Sequence, residues 1–366
     1  MIKPMGAEMQ AKDPAVIERT RALILAHGWN STSYQILNPG IRRWFSHDDD
    51  AVVGYVSAHG VRVVAGAPIC AKERLAEVVK EFEKDAATNG ERVCYFCAEA
   101  RLESIYADSP THAKILLGAQ AAWQPRNWAG IVAAHKSLRA QVNRSRNKGV
   151  TVAEWSTERA HNNAELLRCL HEWLAAKGLP PLHFLVEPET LSRLFDRRVF
   201  VAERAGDVVG FVLLSPVATR NGWLFEQFIH RPGAPNGTVE LMIDTTMRTL
   251  AADGFDYATL GLSPLSTRAA VAPFENPRWL HILLAWLRAH ANRFYNFEGL
   301  DRFKAKLQPE SWEPVFAVAN EPSLKPGTLY AILVAFSGNA PFALVFGGLW
   351  RALVTEIKWL LEKIGV

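Results

Sequence analysis

The alternation of apolar and polar positions predicts an α/β unit in the first third of the chain. Its elements are a β-hairpin over residues 51–67, an amphipathic helix over 72–88 and a buried strand over 92–98. Two β-rich runs flank a turn at Gly60, which is the usual signature of a hairpin. Leu75, Val78 and Phe82 recur at helical spacing, and we expect the helix to end at Gly90.

The same order of elements returns after residue 195. A hairpin over 199–215, a strand over 223–229, a helix over 238–253 and a strand over 257–262 follow one another. The glycines that end the two helices, Gly90 and Gly254, are 164 residues apart. We therefore expect two tandem α/β units at residues 1–135 and 151–325, joined by a helix at 136–150 and followed by a tail at 326–366.

The predicted joining helix is strongly basic. Residues 136–149 contain five cations and no acid, and Leu138 and Val142 anchor one face at i, i+4 spacing. Such a helix suits phosphate groups, although a solvated linker helix has the same composition. The cations are Lys136, Arg139, Arg144, Arg146 and Lys148.

The tail is apolar and raises the question of membrane contact. Residues 330–350 carry no charge, but a polar interruption that ends at Pro341 favours two shorter pieces over one spanning helix. The second piece has an apolar face with Arg351, Lys358 and Lys363 beside it, which suits the membrane interface. A helix docked on the core or in a dimer remains the alternative, and the sequence does not determine the oligomeric state.

Composition and motifs narrow the class of function. Apolar residues make up 49% of the chain and the net charge is +4, as in soluble folded proteins. Cys94 and Cys97 form the only close pair among four cysteines, and no second pair completes a zinc site. No phosphate-binding loop or dinucleotide fingerprint occurs. We expect no metal, no cofactor and a reducing cytoplasmic compartment.

The richest candidate chemistry lies in residues 293–316. Arg302, Lys304 and Lys306 alternate there among aromatic residues, and such a cationic site can hold a phosphate or stabilise an oxyanion. Two acids in the second unit are further candidates. Glu240, in the first turn of a helix, either binds an ammonium group or only complements the helix dipole. Glu226 lies within a strand, where it faces either a pocket or solvent.

These residues carry a resemblance to a known family. The run YNFEGLDRFKAKLQPESWEPVF, from Tyr295 to Phe316, resembles the end of the cytosolic domain of the bacterial phosphatidylglycerol aminoacyltransferases of the multiple peptide resistance factor type. Similar motifs lie upstream at 66–69, 114–118, 138–149, 235–238 and 260–266, so that the likeness extends from about Ala26 to Asn320. It implies two tandem acyltransferase domains of the GCN5-related type.

The family resemblance also implies an activity and a site. Members transfer an aminoacyl group from aminoacyl-tRNA to a lipid hydroxyl such as that of phosphatidylglycerol. By this resemblance Arg302, Lys304 and Glu240 are catalytic candidates, and the five cations of the basic helix contact tRNA. The implied substrate-binding residues are Glu226, Asn236, Gly237, Thr238, Tyr295, Asn296 and Lys306.

The resemblance leaves several points open. The membrane-spanning helices that usually precede this domain do not occur in the sequence, so we expect peripheral contact with an anionic membrane, at its inner face, through residues 329–366. Alternative functions are a coenzyme A-dependent N-acyltransferase, a transferase acting on a small non-lipid acceptor, and an RNA-binding scaffold. The amino acid, the acceptor and the general base are not identified by the sequence.

Overall fold

The fold is described from a computed structural model for residues 13–177, 182–269, 271, 278–280 and 297–337. Within these ranges the strands are β1 Arg42–Phe45, β2 Val52–Ala58, β3 Val61–Ala65, β4 Arg92–Glu99, β5 Ala113–Trp123, β6 Val150–Trp155, β7 Arg198–Arg204, β8 Asp207–Val217, β9 Gly222–His230, β10 Tyr257–Pro264 and β11 Ser311–Ala319. The α-helices are α1 Pro14–His27, α2 Leu75–Thr88, α3 Ala100–Glu103, α4 Trp128–Ala134, α5 Lys136–Asn147, α6 Thr157–Ala160, α7 Ala164–Lys177, α8 Thr238–Ala252, α9 Phe297–Lys306 and α10 Pro326–Ser337.

The predicted secondary structure is confirmed in both halves of the chain. Hairpin β2–β3, helix α2 and strand β4 follow in the predicted order, and β3 pairs with β4 in parallel. In the second half, hairpin β7–β8, strand β9, helix α8 and strand β10 repeat this order, with β9 and β10 parallel. The mixed α/β class is therefore confirmed, whereas the tandem units and their boundaries remain predictions.

All eleven strands form one sheet whose middle mixes the two halves of the chain. The strand order is β1-β2-β3-β4-β11-β5-β10-β9-β8-β7-β6. Strand β11, from the end of the described chain, lies between β4 and β5, and β5 lies between β11 and β10. The last strand of the second half, β11, thus pairs with β4 of the first half, and the last strand of the first half, β5, pairs with β10 of the second half. Each side of the sheet therefore contains one strand from the other half.

Buried apolar side chains cover both faces of this sheet. One large cluster includes Ile24 of α1, Tyr34 and Phe184, and another is built around Trp123 of β5 and Trp128 of α4. The amphipathic pattern of α2 explains its position, since its buried residues pack on β4 while Glu77, Lys80 and Lys84 face solvent. Burial of these side chains is the main stabilising contribution to the fold.

A polar network joins the four central strands. Arg220, in the turn before β9, binds the Glu313 carboxylate of β11 through both terminal guanidinium nitrogens, and Glu99 of β4 at 3.3 Å. The same Glu313 carboxylate accepts hydrogen bonds from Gln120 of β5 at 2.8 Å and from Tyr257 of β10 at 3.0 Å. Although burial opposes ionisation, the hydrogen bonds and charge of Arg220 hold the pKa of Glu313 below its ordinary value.

The first part of the tail packs against the protein. Helix α10 buries Ala331 and Ala335, and Phe336 makes edge contacts with Phe96 of β4 and with Phe184. The remainder of the tail, residues 338–366, lies outside the described residues. Within the described part of the chain, no helix combines the length and apolarity needed to cross a bilayer.

Replacing Arg220 by Met should destabilise the fold, because Glu99 and Glu313 would lose their shared cation at the centre of the sheet. We expect the free energy of unfolding, measured with urea, to fall by an amount near the lower end of the roughly 3–5 kcal/mol typical of broken buried ion pairs, since Arg220 is partly exposed. Arg144→Met, at an exposed arginine, is the matched control and should change it by less than about 0.5 kcal/mol. Equal effects of the two substitutions would contradict the role of the network.

Candidate functional site

The candidate site is built where β9 and β10 stop pairing. These parallel strands pair only through Gly222–Leu224 and Tyr257–Thr259, although β9 continues to His230 and β10 to Pro264. Beyond Thr259 the two strands are no longer joined by hydrogen bonds to each other. Their carboxyl-terminal halves are therefore the walls of an opening in the sheet, and open α/β sheets bind ligands at such places.

Lys304 of α9 binds the part of β10 that is no longer paired with β9. The register of β10 against β5 shifts between Thr259 and Leu262, and Gly261 in this bulge has φ +68°, a conformation that favours glycine. The bulge turns two carbonyl groups toward α9. Lys304 Nζ donates hydrogen bonds to the carbonyl oxygens of Gly261 at 2.8 Å and Leu262 at 2.9 Å. The lysine thus satisfies backbone groups that the bulge frees.

Lys304 lies in a strongly desolvating environment. Its side chain is 3% exposed. Burial lowers the pKa of Lys304 to about 7, and the nearby charge of Asp301 offsets only part of this effect. Both the neutral and the protonated amine are therefore accessible near neutral pH, which is the property expected of a group that transfers a proton.

The three alternating cations do not share one environment. Arg302 is exposed and pairs with Glu298 one turn earlier on α9. Lys306 is also exposed, on the face that Arg302 occupies. Lys304 points to the opposite, buried face of the helix. The structure therefore separates one inward lysine from two outward cations, and the predicted neighbours Tyr295 and Asn296 lie outside the described residues.

Glu226 is neutralised by a buried arginine. Arg197 donates two hydrogen bonds to the Glu226 carboxylate, from Nε at 2.9 Å and from a terminal nitrogen at 3.0 Å. Both side chains are at most 4% exposed. Of the two sequence-based alternatives, the solvent face is wrong, because β9 turns this acid inward. Arg197 was not among the candidates, although a buried acid within a strand requires a cationic partner.

The segment before α8 packs against the basic helix. Gly237 has φ +91°, and a Cβ at this position would collide with the carbonyl oxygen of Gln141 on α5. The Thr238 hydroxyl is buried and lies 3.2 Å from that of Ser145. Asn236 is exposed, and Glu240 is partly exposed in the first turn of α8. Gly237 and Thr238 thus fix α5 on α8, and a role in binding the aminoacyl group remains a prediction.

Helix α5 presents its cations to solvent. Leu138, Val142 and Ser145 are buried against the protein. All five predicted tRNA-contacting cations, Lys136, Arg139, Arg144, Arg146 and Lys148, are exposed. Arg139 donates to the carbonyl of Ala133 at the end of α4, and Arg146 lies 3.5 Å from the Asp244 carboxylate. Lys136, Arg144 and Lys148 have no carboxylate partner among the described residues.

A cleft beside α5 adds a cation that sequence reasoning missed. Helices α4, α5 and α8 enclose about 230 Å³ between Arg139, Arg146, Asp244 and Arg248. Buried Asp244 accepts hydrogen bonds from Trp128 Nε1 at 3.0 Å and from Arg248 Nε at 2.9 Å. The i, i+4 spacing of Asp244 and Arg248 on a predicted helix was the available signal.

The described residues offer little that would hold a metal ion. No group of three histidine, cysteine or carboxylate side chains converges among them. Cys94 and Cys97 are buried, and burial raises the pKa of the Cys94 thiol to about 12. These thiols have the properties of core residues.

Known proteins share both the sequence and the fold. Residues 9–319 match the family described as "Phosphatidylglycerol lysyltransferase, C-terminal". The chain is 24% identical over 310 residues to a phosphatidylglycerol lysyltransferase of Bacillus subtilis; the match covers 84% of this chain and 35% of that protein. The chain thus spans about a third of the length of this curated relative.

Two solved structures have the same fold. One is the C-terminal domain of a protein described as a lysylphosphatidylglycerol synthetase from Agrobacterium fabrum, with a TM-score of 0.75, 21% identity, and coverage of 88% of this chain and 97% of that one. The other, L-PGS from Bacillus licheniformis, has a TM-score of 0.72 and 21% identity over 95% of this chain and 98% of that one.

The depressed pKa of Lys304 predicts a pH dependence of stability that Lys304→Met should remove. Between about pH 7 and the ordinary lysine value of 10.5, the unfolded chain binds a proton that the folded protein does not. The free energy of unfolding of the wild type, relative to the variant, should therefore rise through this window, by at most about 1.4 kcal/mol per pH unit. Below about pH 7 the difference should be constant.

Urea unfolding at several pH values measures this difference. Lys306→Met, which removes an exposed lysine two residues away on α9, is the control and should give a nearly constant difference. Parallel stability curves for the wild type and Lys304→Met between pH 7 and 10 would be inconsistent with a buried, neutralised amine.

Proposed function

The chain belongs to the phosphatidylglycerol lysyltransferase C-terminal family, and we propose that it transfers an aminoacyl group from aminoacyl-tRNA to a hydroxyl of a membrane lipid such as phosphatidylglycerol. The observation that carries this proposal is the family match over residues 9–319, which includes both α5 and Lys304. Transfer of a lysyl group would reverse the sign of the headgroup charge, so the product would make the membrane surface less anionic.

Helix α5 is the proposed contact for the tRNA donor. Three of its exposed cations, Lys136, Arg144 and Lys148, have no carboxylate partner among the described residues, so binding a phosphate would break no ion pair. Contacts between cations and RNA phosphates dominate such affinities and weaken with salt. The cleft with Arg139, Arg146 and Arg248 lies beside this face and extends the cationic surface.

The proposed chemistry is transfer of an already activated ester. The lipid hydroxyl oxygen attacks the ester carbonyl, the bond to the terminal ribose oxygen breaks, and the proton lost by the hydroxyl finally reaches that ribose oxygen. An enzyme for this step has to position the alcohol and stabilise the tetrahedral oxyanion. No cofactor is required by the atom balance.

Lys304 is the proposed proton carrier. As a neutral amine with two N–H bonds directed at the carbonyls of Gly261 and Leu262, it keeps a lone pair that can accept the hydroxyl proton. Once protonated, the ammonium can return that proton to the leaving ribose oxygen. Arg302 and Glu240 remain proposed catalytic residues, and Glu226, Asn236, Gly237, Thr238, Tyr295, Asn296 and Lys306 remain proposed contacts of the substrates.

We propose that the protein acts at the inner face of the cytoplasmic membrane, with the apolar tail as its contact. Helix α10 contributes half-buried Leu329, Ile332 and Leu333 to this end of the molecule. Further along the sequence, the tail has apolar residues with Arg351, Lys358 and Lys363 among them, a composition that suits the interface of an anionic membrane.

The described residues do not favour the coenzyme A alternative. An acyltransferase of that class would bind pyrophosphate at the start of the helix after β9, where backbone N–H groups are free. Here α5 packs against the start of α8, with the carbonyl of Gln141 next to Gly237, and Pro232 and Pro235 in the preceding segment lack N–H groups. Binding of acetyl-coenzyme A in calorimetry would nevertheless revive this alternative.

Aminoacyl transfer tests the proposal directly. The purified full-length chain, mixed with charged tRNA and phosphatidylglycerol vesicles, should form labelled lipid in a reaction that RNase abolishes. Lys304→Ala should lower kcat by about 10²- to 10⁴-fold, as removal of a general base does. Absence of transfer with every common aminoacyl-tRNA would overturn the proposed function.

The tRNA contact has its own test. Substituting Lys136, Arg144 and Lys148 together by Ala should weaken tRNA binding and reduce the slope of log affinity against log salt by about one per lost phosphate contact. The matched control substitutes Lys72, Lys80 and Lys84, three exposed lysines of the first half of the chain. The same slope for both triple variants would argue against α5 as the tRNA contact.

A further inference from the structure

Residues 33–37 of the first half contact residues 193–197 of the second half, through Tyr34 and Asp196 among others, and we call this contact the seam. Two arginines near the seam, Arg43 and Arg193, have no carboxylate partner among the described residues. Arg43 of β1 is 7% exposed, and its Nε has no hydrogen-bond partner. Arg193, in the segment that leads to β7, is half-buried. Most arginines that are buried in proteins are paired, because an isolated buried charge is costly. Arg43 is therefore an exception that calls for a ligand.

The backbone geometry directs Arg43 toward the seam. Arg43 pairs across the sheet with Gly54 of β2, and a Cβ on Gly54 would collide with Ile36. Cross-strand partners share a face, so Arg43 lies under the turn that contains Ile36. Tyr34 of the same turn donates a hydrogen bond to Asp196 at 2.9 Å and stacks on the Arg197 guanidinium at 4.8 Å. The turn thus joins the face of Arg43 to the segment of Arg193.

The acids near Arg193 are already engaged or face solvent. Glu226 is bound by Arg197, and Glu187 lies 2.9 Å from His183. Glu189 is exposed. The charges of Glu187, Glu189 and Glu226 partly offset that of Arg193, but none of these three carboxylates forms an ion pair with it.

The two guanidinium groups also repel each other. Burial and the charge of Arg193 lower the pKa of Arg43 to about 10. Burial and the charge of Arg197 lower the pKa of Arg193 below its ordinary value. An oxyanion placed between two such groups would relieve the repulsion and give Arg43 Nε the hydrogen-bond partner that it lacks. Arginine binds phosphate oxygens especially well, through two parallel hydrogen bonds.

The segment that carries Arg193 also carries exposed apolar side chains. Val186 and Phe195 belong to the same segment as Arg193 and are 51% and 53% exposed. Leu25 of α1 is 44% exposed and lies one helical turn from Arg21, which stacks on Phe195. A ligand with an anionic group next to hydrocarbon would satisfy both features, whereas a free inorganic ion would use only the arginines.

We propose that Arg43 and Arg193 form a subsite for the phosphodiester group of an amphiphilic lipid, with Val186 and Phe195 beside its hydrocarbon. The inference rests on the proposed function in identifying this lipid with the acceptor. Inorganic phosphate shares the anionic chemistry and is the alternative ligand that the test has to separate.

Calorimetry with the full-length chain and no tRNA tests the subsite. The probes are monomeric dihexanoyl phosphatidylglycerol, dihexanoyl glycerol without phosphate, and inorganic phosphate. The wild type should bind the phospholipid, and Arg193→Met should weaken that binding at least tenfold while leaving the uncharged lipid unaffected. Arg193→Lys should restore part of the affinity, because it keeps the charge without the planar fork.

Arg42→Met is the matched control, since it removes the neighbouring arginine, whose side chain points to the other face of β1. It should bind the phospholipid as the wild type does. Because buried Arg43 could be needed for folding, Arg43→Met is compared only after its thermal unfolding matches that of the wild type, and it should then lose at least as much affinity as Arg193→Met.

Two outcomes would overturn the subsite. One is equal phospholipid affinity of the wild type and Arg193→Met; the other is binding of inorganic phosphate as tight as that of the phospholipid. The binding assay contains no aminoacyl-tRNA, so a protein that failed to transfer an aminoacyl group would still give a valid measurement of lipid affinity. Conversely, intact transfer by Arg193→Met together with unchanged lipid binding would reject the subsite and leave the proposed function standing.

Discussion

The pairing of β5 with β11 is the constraint on which the rest of the structure depends. These two strands come from opposite halves of the chain, and each completes the other half's side of the sheet. The Arg220 network stabilises this arrangement. Glu313 of β11 accepts hydrogen bonds from Gln120 of β5 and Tyr257 of β10, and Arg220 donates a hydrogen bond to Glu99 of β4. A chain built in this way gains its central core only when both halves are present.

The same constraint positions the charged groups that the proposed function uses. Strand β10 pairs with β5 along one edge and with β9 only at its start. Pairing with β5 therefore fixes the bulge at Gly261, while the edge of β10 that faces β9 is unpaired beyond Thr259. Lys304 donates hydrogen bonds to the carbonyl groups of Gly261 and Leu262 in that bulge. Its side chain is buried because α9 packs against β10. On the far side of the opening, Arg197 and Glu226 neutralise each other inside the protein. Buried charged groups thus contact both β9 and β10, the two strands that stop pairing after Leu224 and Thr259.

Local patterns predicted the local structure well, and tertiary pairing explains the rest. Helix α2 and hairpin β2–β3 follow from the spacing of a few apolar residues, which is information carried within one segment. The position of β11 between β4 and β5 depends on register between distant segments, which periodicity does not contain. For the candidate site, the sequence identified Lys304 but not that it points away from Arg302, since alternation fits either a strand or a helix. Arg197 was missed because its partner is 29 residues away.

Native-state hydrogen exchange tests the central claim, that the two halves of the chain form one cooperative structure through β5 and β11. We expect the amides of both strands to exchange only through global unfolding, with the same free energy and the same urea dependence as the amides of β4 and β10. Exchange of β11 at a much lower free energy, with β2, β3 and β4 still protected, would show that the first half is stable without β11 and that the two halves are not one cooperative structure.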